Sequence, residues 1–524
     1  MTFVPRGFLL KLEPAAARIE SETFEDGPAS PLQAKWTRAR FGRCCVHKDP
    51  ERGLTHAKRG TTELVLLGHV YDPWTGHAGR DCLENLIPHI PVGRLPQLSD
   101  TGLWETVDQL SGRFALFVLD EHAPWAVQDS VGLQSLYFHH DASGNFWGSS
   151  HSQLLAEACG LKRDPAVDAL VAAPFYGIGV RHLPGRATPF RGMQMVTANT
   201  FLGIRSGKVH RFFPREPHGP VSSWDTLVEE CSGVLAESVR LLAADHQLAV
   251  SLSLGTDSRM TLAATRANAR ELTFFSYASN PEEKKDADGA QRLCAALGLK
   301  HEYYPVDVEA YAASPDPEFE GLLNRNSAGI RRPKTAEIAK IRTLLRDFPP
   351  GRMELKTPVS EIGRAIYCKK MAVSALPDRL TSRDMSNLYK RNVLDRRILK
   401  WTDTAFATYR QDTAFGERFF DYEEHDMFYW EHRNSQWAAL ANQDHDLIHD
   451  MTTILNNRRL LVNFLKPSLN DRISDRLHHA VIQHLWPEVL QVPLHQKTSP
   501  KARVRKLAER WFFRLNSGQL FRRF

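Results

Sequence analysis

The chain has 524 residues, 42% of them hydrophobic and 24% charged, with a formal net charge of +6. That length suits two or three domains with cores of their own, and so modest a charge does not by itself indicate nucleic acid. Seven cysteines, with Cys44 and Cys45 adjacent and no CxxC pair, exclude a disulfide framework and a zinc finger and predict a reducing, cytoplasmic setting.

The start, "MTFVPRGFLLKLEPAAARIESE", has too short an apolar stretch for a signal peptide. No run approaches the roughly eighteen apolar residues of a membrane span. The first two hundred residues predict strands: "TELVLLGHVYD", "GRFALFVLDE", "PWAVQDSVGLQSLYFHHD", "GNFWGSS" and "MQMVTANTFLGI", punctuated by Gly, Asp, Asn and Pro. "FLGIRSGKVHRFF" predicts a hairpin with Ser206-Gly207 at its tip. Its Gly203…Gly207-Lys208 is one residue short of a phosphate loop and has Val209 in place of Ser or Thr, so the turn reading prevails. Residues 212–223 read as a Pro-rich linker. Helix "WDTLVEECSGVLAESVRLLAA", strand "LAVSLS", helix "SRMTLAATRANAR", strand "ELTFFSYA", helix "KDADGAQRLCAALGL" and strand "HEYYPVD" then alternate, which predicts a parallel sheet flanked by helices. From about 318 onward the chain predicts mainly helix.

The stretch "LAVSLSLGTDSRMTLAA" (248–264) turns a strand into a helix through small and hydroxyl residues. Such a junction aims unpaired amides at an anion. Gly255 admits close approach, and Ser253 and Ser258 can donate to phosphate oxygens. Asp257 suits a phosphate site only when a divalent cation bridges the charges. On these residues alone, a helix capped by Asp257 or Ser258 reads equally well.

"SLGTDS" resembles the SGGxDS pyrophosphate loop of asparagine synthetase-type ATP pyrophosphatases. "LTFFSYA…DADGAQRLCAALGLKHEYYPV" is similar to that family's second strand, acidic helix start and LG…H segment. "GRFALFVLDEHAPWAVQDSVGLQSLYF" resembles its amidotransferase-like N-terminal domain, "GMQMVTANTFLGIRSGKVHRFF" its joining segment, and "WPEVLQVPLHQKTS" the region of a lysine on the adenylate and pyrophosphate. The resemblance implies an Ntn-hydrolase-like αββα sandwich over 1–215. An α/β ATP-pyrophosphatase (adenine nucleotide alpha hydrolase-like) domain with a helical C-terminal part would follow over 222–524. It implies ATP as substrate and Mg2+ as cofactor: a carboxylate becomes an acyl-adenylate and an amine attacks it. Ser253, Gly255, Thr256, Asp257, Ser258 and Ser276 would bind ATP or pyrophosphate. Asp257 and Glu361 would hold metal, and Lys497 would stabilise charge. Tyr367 beside Glu361 would serve acid–base chemistry, with a packed tyrosine as the alternative.

The sequence departs from the family in three places. Met1-Thr2 replaces the N-terminal glutaminase cysteine, which suggests a retained scaffold without glutaminase activity, as in β-lactam synthetases and lasso-peptide macrolactam synthetases. Leu254 replaces the first loop glycine. "PVSEIGRAIY" stands for the second magnesium motif, with Ser360 in place of an aspartate. The partners implied are a small molecule or peptide carrying carboxylate and amine, and proteins of a biosynthetic pathway; neither nucleic acid nor a membrane span is implied. Asparagine synthesis from ammonia or glutamine, and a non-catalytic scaffold, stay open.

Of the other candidates, His445 and His449 read as a solvated helix face without a third metal ligand. "HDMFYWEHR" reads as core, with a substrate pocket lined by Tyr429 and Trp430 as the alternative, and Arg458 and Arg459 as a clamp for a carboxylate or phosphate or as helix-cap and surface residues. The basic, aromatic tail around Trp511, Phe512, Phe513 and Phe521 reads as a solvated helix or one closing over ATP, with an anionic membrane or carrier, or an acidic peptide, as the alternative.

Overall fold

A computed structural model describes residues 4–14, 36–173, 176, 180–371, 376–389, 396–493, 504, 507 and 511. Thr2, Lys497, Phe512, Phe513 and Phe521 lie outside the described residues.

Among the described residues, thirteen strands come before residue 212: β1 (Phe8–Leu12), β2 (Thr37–Phe41), β3 (Cys44–Lys48), β4 (Leu54–Arg59), β5 (Thr62–Asp72), β6 (His77–Ala78), β7 (Ser111–Leu119), β8 (Trp125–Gln128), β9 (Tyr137–His140), β10 (Phe146–Ser149), β11 (Gln194–Met195), β12 (Thr200–Gly203) and β13 (Lys208–Arg211). They form two antiparallel sheets, ordered β11-β9-β10-β1-β3-β2 and β13-β12-β8-β7-β5-β4, with β6 on β5. Alternation gives each sheet an inner apolar face. Phe8, Leu10, Val46 and Phe138 of the first meet Val65, Leu67, Phe117 and Leu202 of the second. Burying each such side chain contributes about 1.5–3 kcal/mol. The outer face of one sheet carries helix Ser152–Cys159, and that of the other carries Arg80–Leu86 and Thr101–Gln109. The anticipated hairpin pairs β12 with β13, Gly203 opposite Lys208, and Gly207 takes φ +65° in its turn.

Residues 212–223 lead into helix Trp224–Asp245, capped by Ser223. The third sheet, ordered β16-β15-β14-β17-β18, is parallel: β14 (Gln247–Ser251), β15 (Thr273–Ala278), β16 (His301–Pro305), β17 (Arg352–Leu355) and β18 (Met451–Thr452). Leu248, Val250 and Phe274 face helices Trp224–Asp245, Thr256–Ala264 and Pro281–Ala296. Ala249 and Phe275 face Leu344 and Phe348, at the end of helix Thr335–Asp347. The stretch beyond 318 is not wholly helical. It contributes β17 and β18, too short to show a period, and they complete the sheet beside the loop strand.

A π-helical segment, Tyr429–Ala438, joins the two halves. Arg211 grips its Glu431 bidentately at 2.6 and 2.8 Å, and Trp430 Nε1 donates to the Ser130 carbonyl at 2.8 Å. "HDMFYWEHR" is therefore core, as anticipated. The described residues contain no helix long and apolar enough to cross a membrane.

Candidate functional site

Because β14 and β17 are parallel neighbours, whatever follows each strand emerges at the same carboxyl edge, where ligand sites of open α/β sheets form. β14 runs into the 253–258 loop and helix Thr256–Ala264; β17 runs into the 3-10 turn Ser360–Arg364. No side chain caps the loop helix, which leaves its first amides able to meet an anion. Gly255 is its N-cap residue, and a Cβ there would meet only Ser253 Oγ, at 3.4 Å. Ser258 Oγ donates to the Ser253 carbonyl at 2.8 Å and lies 3.0 Å from Ser253 Oγ, bracing the turn from within. Thr256 is buried in the first turn of the helix. Ser276, on β15, donates to the Leu252 carbonyl at 2.7 Å and sits 2.9 Å from His301 Nε2, pinning the base of the loop.

Leu254 does not obstruct this loop. It takes no positive φ, so glycine is not needed for the path of the chain. Its buried side chain fills a notch over Gly289, where an added Cβ would lie 2.2 Å from Leu254 Cδ1.

Asp257 has protein partners for both oxygens: Ser360 Oγ donates to Oδ1, and the Arg364 guanidinium pairs with Oδ2. Arg364 also grips Asp475 through Nε and Nη2, each at 2.8 Å, and Lys369 pairs with Asp475 as well. Burial opposes the charged Asp475, yet the bonds from Arg364 and Lys369 hold its pKa below the ordinary value. His478, 3.4 Å from Ser360 Oγ, is pushed down to about 4 by burial and stays neutral. Glu361 is half-buried, and burial and the Asp257 charge push its carboxyl up.

A magnesium ion held directly by Asp257 and Glu361 does not fit these contacts. Asp257 is committed to a hydroxyl and a guanidinium, and a divalent ion would sit against that fixed positive charge. Tyr367, proposed for proton transfer, is buried with its ring 6.1 Å from Phe428 and 5.6 Å from Tyr429. Lys497 lies outside the described residues, but the segment leading to it docks beside the loop. Fully buried Arg259 donates to the carbonyls of Val489 (3.1 Å), Val492 and Pro493 (3.1 Å). Sequence reasoning passed over Arg259; its one signal was an arginine directly after Ser258 of the loop.

Two further clusters correct the sequence picture. His445 and His449 are buried, not solvated, and Glu354 of β17 joins them, with His449 Nε2 2.8 Å from Glu354 Oε2. Lys356 stands 3.1 Å from His445 Nε2 and 3.6 Å from Glu354, supplying the positive charge. Burial disfavours the Glu354 carboxylate, but Lys356 and the imidazoles hold its pKa well below the usual range. Glu423, His425 and Asp426 form the other, with Arg472 paired to both carboxylates. Neither Arg458 nor Arg459 is an open clamp. Arg458 is buried on Asp108 at 3.0 Å and Asn199 at 2.9 Å, and Arg459 lies 3.8 Å over the Trp74 ring.

Residues 230–320, which include the loop, match the family model described as asparagine synthase. No curated protein matches the chain. Among solved structures it is similar to an NH3-dependent NAD synthetase from Campylobacter jejuni subsp. jejuni NCTC 11168 in complex with the nitrate ion. That likeness is 18% identity over 36% of this chain and 96% of the other, with a TM-score of 0.20. It is also similar to a glutamine phosphoribosylpyrophosphate amidotransferase from B. subtilis complexed with ADP and GMP, at 10% identity over 58% of this chain and 60% of that one, TM-score 0.21. A third, an allosteric regulatory enzyme of purine biosynthesis, gives 10% identity over 47% and 54%, TM-score 0.21. This chain thus spans little more than half the length of the latter two. TM-scores this low define neither fold nor function.

Proposed function

We propose that the chain is an ATP-dependent ligase of the asparagine synthetase type, which activates a carboxylate as an acyl-adenylate and joins it to an amine. One observation carries this reading: an uncapped helix opens at the carboxyl edge of a parallel sheet, and Arg364 is paired to its first turn. The family match over 230–320 supports it.

In the first step a carboxylate oxygen bonds to the α-phosphorus of ATP, the bond from that phosphorus to the bridging oxygen breaks, and pyrophosphate leaves. The loop amides and the Arg364 and Lys369 cations neutralise the charge that departs. In the second step the amine nitrogen bonds to the acyl carbon and the carbon–oxygen bond to AMP breaks. Glu361, with its raised proton affinity, accepts the amine's proton. The magnesium implied by the resemblance has no ligand pair here, since Asp257 is already paired. The 1–215 sandwich serves as a scaffold for the 222–524 ligase, and the amine comes from a natural-product or peptide substrate. The free cysteines suit a reducing cytoplasm.

The test is carboxylate-dependent exchange of labelled pyrophosphate into ATP, screened over candidate acids. Gly255→Val, which the backbone admits but which fills the phosphate approach, should abolish exchange. Exchange that survives this change would move the site elsewhere. If no acid supported exchange and ATP did not bind, the non-catalytic scaffold reading would stand instead.

A further inference from the structure

We propose that Arg364 takes the place of the divalent cation at this loop, so that the triphosphate tail is bridged to Asp257 by a guanidinium and binds without a protein-held metal. This rests on the nucleotide reading above. Two changes within one turn point the same way. Ser360 offers a hydroxyl where the resembled motif has a metal-binding carboxylate, and four residues on Arg364 delivers a permanent charge to the oxygen a metal would use.

The geometry matches a bridging role. A guanidinium has five N–H groups in a planar fork. Nε and Nη2 each give one to Asp475, and Nη1 gives one to Asp257. Two further N–H groups, one on each terminal nitrogen, can meet phosphate oxygens. Asp475 anchors the guanidinium from behind, so it stays in place when a phosphate competes for Asp257. Asp257 and Asp475 are balanced by Arg364 and Lys369 before any ligand arrives. A divalent ion would find both carboxylates already neutralised, whereas a phosphate can take the remaining N–H groups of Arg364 and the positive end of a helix. Val359 at φ +91° and Ala365 at φ +46° bracket the turn. A β-branched residue at such a φ is costly.

The experiment is calorimetric titration of the full chain with ATP and with inorganic pyrophosphate, once in excess EDTA and once in excess magnesium. The expected affinities agree within about threefold between the two buffers, because a guanidinium is not removed by a chelator. Arg364→Ala should weaken binding in EDTA about ten- to hundredfold, the value of charge-assisted bonds. An unchanged melting curve would separate that loss from unfolding. Arg364→Lys keeps the charge but loses the fork and should fall between. Ser360→Asp combined with Arg364→Gly restores a carboxylate pair and should make binding depend on magnesium. Wild-type binding that requires magnesium, or that is indifferent to Arg364→Ala, overturns the inference and leaves the nucleotide reading intact. No binding of ATP or pyrophosphate in either buffer overturns the nucleotide reading itself.

Discussion

Two arginine–aspartate contacts in this molecule use the same chemistry to different ends. At the seam between the halves, Arg113 of β7 grips Asp446 bidentately at 2.6 and 2.7 Å, with the side chains 1% and 0% exposed. At the loop, Arg364 pairs with Asp257, and those side chains are 17% and 24% exposed. The enclosed pair, with Arg52 3.8 Å from Asp446 and Asp450 3.5 Å from Arg113, is shut away from solute and acts as a latch. The half-open pair can exchange one partner for a solute anion. Exposure, rather than residue type, separates the latch from the pair proposed to meet an anion.

The largest effect should come from breaking the latch. Arg113→Ala takes the bidentate partner from buried Asp446 and leaves only Arg52, at 3.8 Å, and breaking a buried ion pair costs about 3–5 kcal/mol. Urea unfolding should show that loss, whereas Arg364→Ala should move the same curve much less; equal shifts would erase the distinction.

Gly289→Ala probes the loop from below. Its new methyl would collide with Leu254 and push that side chain towards the loop, at a cost of about 1–3 kcal/mol from overpacking. ATP affinity should fall together with stability, and a change in stability alone would show that the loop is insulated from its packing.

The seam should also respond to acid. His432, in the π-helical segment, accepts from the Gly185 amide at 3.1 Å and is pushed down to about 3 by burial. Its folded pKa lies below its unfolded one, so the unfolded chain binds the extra proton. Stability is therefore intact above the ordinary histidine range and is lost as pH falls from about 6.5 towards 3, by at most about 1.4 kcal/mol per pH unit. His432→Gln should flatten that slope in melts across the window. An unchanged slope would assign the acid sensitivity to other groups.

Local pattern made much of this architecture legible. β5, β7 and the β12–β13 hairpin show period-two alternation or turn signals, and the strand–helix alternation after residue 224 carries the parallel sheet. The loop was legible because its chemistry lies within six consecutive residues. What escaped depends on contacts without local period. β17 and β18 have only four and two residues. Arg364 meets Asp257 across 107 positions, and Arg259 meets Pro493 across 234. Glu354 meets His449 only because strand order brings them together. Leu254 stands where the resembled motif has glycine, and only the fold shows the notch over Gly289 that receives it.

The most direct test is a crystal structure of the protein soaked with ATP or pyrophosphate in the presence of EDTA. The account predicts phosphate oxygens on the first amides of helix Thr256–Ala264, with Arg364 between them and Asp257 and still anchored on Asp475. A loop left bare, with Arg364 undisturbed on Asp257 and the phosphates bound elsewhere, would contradict it.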